Sequence, residues 1–158
     1  MVVDPEGMEI RWSTLREILE TGKADVIYNY MCAAIRRQFS KACKKDRHAY
    51  HEFFGSGEWK SLCGLKEEVK IGEALHEVFK SSIEALGYDV CTASVFAKYL
   101  KWHYHLDVVV RRRKRRGDKC QDTYPWLRGF EEYAEFVEKI GEDGLRKVLF
   151  TASLDRFF

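Results

Sequence analysis

Six consecutive basic residues, Arg111-Arg112-Arg113-Lys114-Arg115-Arg116, follow directly on Val108-Val109-Val110 and stop at Gly117-Asp118. Along a strand the side chains alternate between faces, so Arg111, Arg113 and Arg115 point one way while Arg112, Lys114 and Arg116 point the other. Neither row can lie against a core, because an unpaired buried charge is strongly unfavourable. Both rows must face solvent or a polyanion, and the segment has to leave the body of the fold. A projecting basic hairpin suits a nucleic-acid clamp. The plain alternatives are a solvated charge run or, in a eukaryote, a nuclear import signal.

The rest of the chain sets limits on this element. With 158 residues it can bury one good core and at most a small satellite element. Apolar residues make up 46% and charged residues 33%, a folded rather than a disordered composition. The net charge of +2 conceals a polarity: residues 36–47 and 111–119 are basic, whereas Glu131, Glu132, Glu135, Glu138, Glu142 and Asp143 make 128–143 acidic. Separated charge favours oriented binding to a polyanion. No stretch approaches the roughly 18–20 apolar residues that span a bilayer, and no basic-then-apolar leader opens the chain. The expectation is an intracellular protein, cytoplasmic or, in a eukaryote, nuclear, with no membrane partner. Cys32, Cys43, Cys63, Cys91 and Cys120 form no Cys-x-x-Cys pair or zinc-type spacing. Buried free thiols are the expected state, with disulfides in a hyperthermophile's cytoplasm as the alternative.

The pattern predicts a mainly helical chain. Residues 1–9 read as a flexible arm, 10–150 as a single domain, and 151–158 as a terminal peptide. Thr14 with Glu17 suggests a capping box and Gly22 a stop around a first helix. A second helix opens at Ala24 or Asp25, with Val26, Ile27, Tyr30, Met31, Ala34, Ile35 and Phe39 as its buried stripe and Arg36, Arg37, Lys41 and Lys44 largely outside it. Gly55-Ser56-Gly57 splits an aromatic-rich stretch into two short helices. Leu65, Val69, Leu75, Val78, Phe79, Ile83 and Leu86 mark a long helix that Gly87 caps. Thr92 then opens a helix with Val95, Phe96, Tyr99 and Leu100 inside and Ser94, Lys98, Lys101, Trp102 and His105 toward solvent. A Val-rich strand, a turn at Gly117-Asp118-Lys119 and a return strand through Thr123-Tyr124-Pro125-Trp126 follow. Helices at about 129–139 and 143–151 complete the chain.

Helix, Gly-containing turn, helix and basic hairpin, over about residues 73–126, resemble a winged helix-turn-helix. Ile83-Glu84-Ala85-Leu86-Gly87 is similar to the end of a positioning helix, Thr92 to Tyr104 to a recognition helix, and Val108 to Trp126 to a wing. The resemblance implies a mainly α (α+β) fold: a winged helix-turn-helix core with a small antiparallel β-hairpin and additional N- and C-terminal helices. It also implies DNA contact, with Ser94, Lys98, Lys101 and Trp102 facing the groove and Arg111, Arg112, Arg113, Lys114, Arg115, Arg116 and Lys119 on phosphates. Six to ten such contacts would weaken binding by roughly three to five decades between about 50 and 200 mM salt.

A rival lies in the same segment. Trp102-His103-Tyr104-His105-Leu106-Asp107-Val108-Val109-Val110 resembles the His-hydrophobic-His strand of rolling-circle replication initiators and relaxases (the HUH type). On a strand His103 and His105 share a face and could hold a divalent cation that polarises a scissile phosphate for attack by a tyrosine. On a helix they would diverge by roughly 200°. Tyr133 is the candidate nucleophile on that resemblance, although Val137 stands where the family usually has Lys.

The last residues, Thr151-Ala152-Ser153-Leu154-Asp155-Arg156-Phe157-Phe158, resemble the peptide that docks replication and repair proteins on the PCNA-type sliding clamp. Leu154, Phe157 and Phe158 fit its aliphatic and paired aromatic positions, with Thr151 at the position of its Gln. The alternative is that these side chains tuck the last helix onto the core or a second subunit. No Gly-rich phosphate loop, His-Glu-x-x-His or Gly-x-Ser-x-Gly signature is present in the sequence. His48, His51 and His76 read as surface or packing residues; Tyr50, Phe53, Phe54 and Trp59 read as core rather than as base-stacking platforms. The expectation is a non-enzymatic DNA-binding protein, active in replication, repair or transcriptional regulation, without a cofactor and forming a homodimer. The alternatives are an HUH-type nicking initiator, a single-stranded nucleic-acid-binding protein or a viral nucleoprotein.

Overall fold

The computed structural model describes residues 1–112 except 24, 46 and 98–101, together with positions 129, 132, 136 and 139; at 68, 69, 95–97, 102 and 103 only the backbone is described. In order the elements are β1 (Val2–Val3), α1 (Trp12–Glu20), β2 (Val26–Tyr30), α2 (Cys32–Lys45), α3 (His48–Phe54), a 3-10 helix (Glu58–Gly64), α4 (Glu68–Ala85), β3 (Tyr88–Ala97) and β4 (Trp102–Arg111). The described strands form a mixed sheet ordered β1-β2-β4-β3, with β1 parallel to β2 and the other pairs antiparallel. Helices beside a mixed sheet make the fold α+β.

The interior explains why β4 is so apolar. Val109 packs with Val26, Tyr28, Tyr30, Phe79 and Ile83 in the main core. Val108 joins Cys91 and Ala93 in a second buried cluster, with Ile27, Leu106 and Val110 packed against it. Successive valines therefore point to opposite faces and both are buried, so the segment is a continuous apolar run rather than an alternating one. Val108–Val110 are strand, as expected, and the chain becomes exposed at Arg111 and Arg112; the strand is a central one of the sheet, and the return strand expected through Trp126 lies outside the described residues.

Two predicted helices change character. Val26–Tyr30 is a strand in which Val26, Tyr28 and Tyr30 are buried and Ile27 and Asn29 half-buried, the period of two that a pleated strand imposes. Only from Cys32 onward does burial fall on Cys32, Ile35, Phe39 and Ala42 at helical spacing. The predicted reading helix, Thr92 to Tyr104, belongs instead to the antiparallel strands β3 and β4, whose register runs from Tyr88 opposite Arg111 to Ala97 opposite Trp102. Ten consecutive ladder pairs outweigh a weak local preference.

The expectations of a long helix capped at Gly87, a break at Gly55 and an aromatic core hold. α4 buries Leu75, Phe79 and Ile83, and its chain reverses at Gly87, whose φ of 83° only glycine adopts readily. Gly55 ends α3, and a Cβ there would lie 2.0 Å from Trp12 Cδ1, so that turn tolerates no side chain. Tyr50, Phe53, Phe54 and Trp59 are buried core, with Phe53 stacked on Phe79 at 5.3 Å. Positions 129, 132, 136 and 139 are helical. α1 starts at Trp12 with Arg11 as N-cap and no side-chain capping bond, so the Thr14–Glu17 box does not form.

The cysteines depart from the expectation of free thiols. Cys43, on the last turn of α2, is bonded to Cys63 on the 3-10 helix, their Cα atoms 5.6 Å apart, inside the window a disulfide requires. Cys91 is also disulfide-bonded. Cys32 is the free cysteine among the described residues. Burial, and then the charge of Asp107, push its thiol up from the ordinary range, so it stays protonated and is a poor nucleophile.

Candidate functional site

β4 carries two features of opposite character, a buried polar cluster in its first half and the basic run at its end. In the cluster, alternation puts His105, Asp107 and Val109 on the face of the sheet that carries Tyr28 and Tyr30 of β2. β3 supplies the same face with Ser94 opposite His105 and Thr92 opposite Asp107. His76 reaches them from α4, where it sits in the buried stripe beside Leu75 and Phe79.

Asp107 is completely buried. Its two carboxylate oxygens are both satisfied, Oδ2 by His76 Nε2 at 2.8 Å and Oδ1 by the Thr92 hydroxyl, which donates at 2.7 Å. A buried carboxylate is tolerable only when paired and hydrogen-bonded in this way. The His76 ring stacks on His105 with centroids 4.0 Å apart and an interplanar angle of 19°. His105 Nδ1 and the Ser94 hydroxyl share a hydrogen bond of 2.9 Å. Tyr30 closes the cluster, its ring centroid 4.7 Å from that of His76. Burial holds the phenols of Tyr28 and Tyr30 protonated, and Asp107 adds to the effect at both.

Among Thr92, Ser94, His105, Asp107 and His76, Ser94 alone is exposed. The arrangement is a rigid, carboxylate-anchored imidazole pair that meets the surface through one hydroxyl. Such a network can hold both histidine rings in one orientation, His76 through Asp107 and His105 through Ser94 and the stack. Among the described residues, no group of three or more His, Cys, Asp or Glu side chains is placed to hold a metal ion.

At the other end, Arg111 is the last residue of β4 and Arg112 follows it. Both are exposed. The Arg111 guanidinium lies over the turn after α1, 2.8 Å from where a Cβ on Gly22 would stand. Arg112 folds back over the start of β3: its Nε donates to Asp89 Oδ1 at 2.7 Å and its backbone N–H to the Gly87 carbonyl at 3.0 Å. The strand rise of about 3.4 Å per residue separates His105 from Arg111 by roughly 20 Å.

Of the residues expected to contact nucleic acid, Ser94 is on β3 and bonded to His105 rather than on a groove-facing helix. Trp102 opens β4. Lys98, Lys101, Arg113, Lys114, Arg115, Arg116 and Lys119 lie outside the described residues, as do Thr151, Leu154, Phe157 and Phe158. His103 and His105 both fall on β4. Sequence reasoning missed His76, Asp107 and Thr92. Their signal was present: a polar side chain at every second position of an apolar strand, and a histidine inside the buried stripe of α4. Comparison with protein-family models, with curated proteins and with solved structures finds no match for this chain.

Proposed function

We propose that this protein binds nucleic acid through its phosphate backbone, using the basic run that leaves the end of β4. The observation that carries this reading is the exit itself: β4 is buried on both faces through Val109, and the chain emerges at Arg111 and Arg112 with further arginines and lysines following in sequence. A polyanion is the partner that relieves the mutual repulsion of such a run. The winged-helix form of the proposal loses its reading helix, since residues 92–97 and 102–104 are strand. Backbone contact without a helix in the major groove remains. The test is a salt series on duplex DNA, single-stranded DNA and RNA, comparing wild type with an Arg112/Arg113/Arg115→Ala variant. For every arginine that neutralises a duplex phosphate, its removal should flatten the slope of log K against log salt by about 0.9. A wild-type affinity indifferent to salt would sink the proposal.

One placement favours a second reading, metal-dependent nicking of DNA in the manner of rolling-circle initiators. His103 and His105 lie two residues apart on one strand, and His105 is backed by the His76–Asp107 pair. His105 Nδ1 is engaged by Ser94 and His76 Nε2 by Asp107, so the described donors do not complete a cation site and no catalytic step is derived from one. The expected result on this reading is a covalent protein–DNA adduct, formed with Mn²⁺ or Mg²⁺ and abolished in Tyr133→Phe. Its absence with single-stranded and supercoiled substrates leaves binding as the whole activity.

A further inference from the structure

Helix α2 is charged unlike any other described helix. On α1 the Arg16 guanidinium meets Glu20 at 2.7 Å, and on α4 Lys70 meets Glu67 and Lys80 meets Glu77. α2, Cys32-Ala-Ala-Ile-Arg-Arg-Gln-Phe-Ser-Lys-Ala-Cys-Lys-Lys45, contains no acidic residue at all. Arg37, Lys41, Lys44 and Lys45 are all exposed. None of the four has a carboxylate within ion-pair distance among the described residues. At 100° per residue they fall within an arc of about 100°, opposite the buried Cys32, Ile35, Phe39 and Ala42, and span about 12 Å of helix axis.

A favourable helix-dipole interaction accounts for Lys44 and Lys45 in the last turn. It does not account for Lys41 or Arg37. Arg37–Lys41 and Lys41–Lys45 are like-charge pairs at i,i+4, each destabilising the free helix by some tenths of a kcal/mol, about 0.2–0.5. An unpaired basic face against solvent is therefore held at a cost that a bound polyanion would remove.

We propose that the exposed face of α2, centred on Lys41, Lys44 and Lys45, is a second phosphate-contact surface for nucleic acid, separate from the basic run after β4. The partner class rests on the reading given above; the surface itself is new to it. Arg37 contributes less, because Glu6 and Glu9 line the cleft beside it. The Cys43–Cys63 bond sets the last turn firmly on the 3-10 helix, so the lysines that flank Cys43 project from a rigid support.

The test is the salt dependence of binding for the full chain carrying Lys41→Gln, Lys44→Gln and Lys45→Gln, with a 25-base-pair duplex and a 25-nucleotide single strand as probes. Glutamine keeps helix propensity, and the relieved like-charge pairs offset the lost dipole interaction, so the variant should melt close to the wild-type temperature. With the basic run intact, the slope on duplex should flatten by up to about 2.7 if all three lysines neutralise phosphates, and on single strand by up to about 2. An unchanged slope, in a protein whose slope does respond to Arg112/Arg113/Arg115→Ala, overturns the α2 surface and leaves the basic run standing. A wild type that binds neither probe overturns both. Phosphatidylserine vesicles serve as a third probe, and a slope that flattens only there assigns the face to a membrane and overturns the proposal too.

Discussion

Replacing His76 by alanine is expected to destabilise the protein by about 3–5 kcal/mol, the cost of removing one partner from a buried ionic hydrogen bond. Asp107 has no exposure and keeps only the Thr92 hydroxyl once His76 is gone. The substitution also strips His105 of its stacking neighbour and Tyr30 of a ring partner. Against a total stability of roughly 5–15 kcal/mol for a domain, such a change removes a large fraction of the margin. Urea unfolding checks it: the midpoint should drop with little change in slope, since the surface exposed on unfolding is the same. Asp107→Asn should cost less, about 1–3 kcal/mol, because the amide oxygen still accepts from Thr92 while the charge is gone. The decisive comparison is His76→Leu with Asp107→Leu in one chain. If the penalty comes from a stranded carboxylate, the double variant recovers much of it; additive losses would show that shape and stacking, not charge, hold the cluster.

The same cluster shows where sequence reading stops. α4 was legible because Leu75, Phe79 and Ile83 repeat at helical spacing and Gly87 ends the pattern. The exposure of Arg111 and Arg112 was legible from charge alone. β2 was hidden by its neighbour: Val26, Tyr28 and Tyr30 alternate, but Cys32, Ile35 and Phe39 continue the burial at helical spacing with only Met31 between. Read as one stripe, the junction looks like a single helix. β3 and the first half of β4 were hidden by distance, because the pairing that makes β4 a central strand comes partly from β2, as in Tyr30 with His105; the Val-rich second half was legible as strand. The site has the same origin. His76 and Asp107 are 31 residues apart, and neither has a local partner that would mark it as half of a pair. Tertiary pairing, not propensity, put the two histidines on a strand and so brought the nicking reading level with its test.

Cys43 and Cys63 provide the second large effect. Changing both to serine is expected to cost about 3 kcal/mol, the loop-closure entropy that a cross-link over a short loop withholds from the unfolded chain. Their separation is 20 residues. For a chain of this size that corresponds to a fall in Tm of roughly 6–12 °C. The double serine variant is preferable to reductant, because Cys91 is also disulfide-bonded and a reducing agent would open both cross-links. The native packing around the bond should survive, since Ala42 is buried beside it and Phe39 meets Trp59 edge-on at 6.4 Å. Only the last turn of α2 should loosen, where Lys44 and Lys45 repel and the covalent tie is gone. Amide exchange in that turn should quicken more than in α4, whose core-facing Leu75, Phe79 and Ile83 do not depend on the bond. A variant that melts within a degree of wild type would mean that residual structure already holds this loop nearly closed in the unfolded chain, so that the disulfide withholds little further entropy.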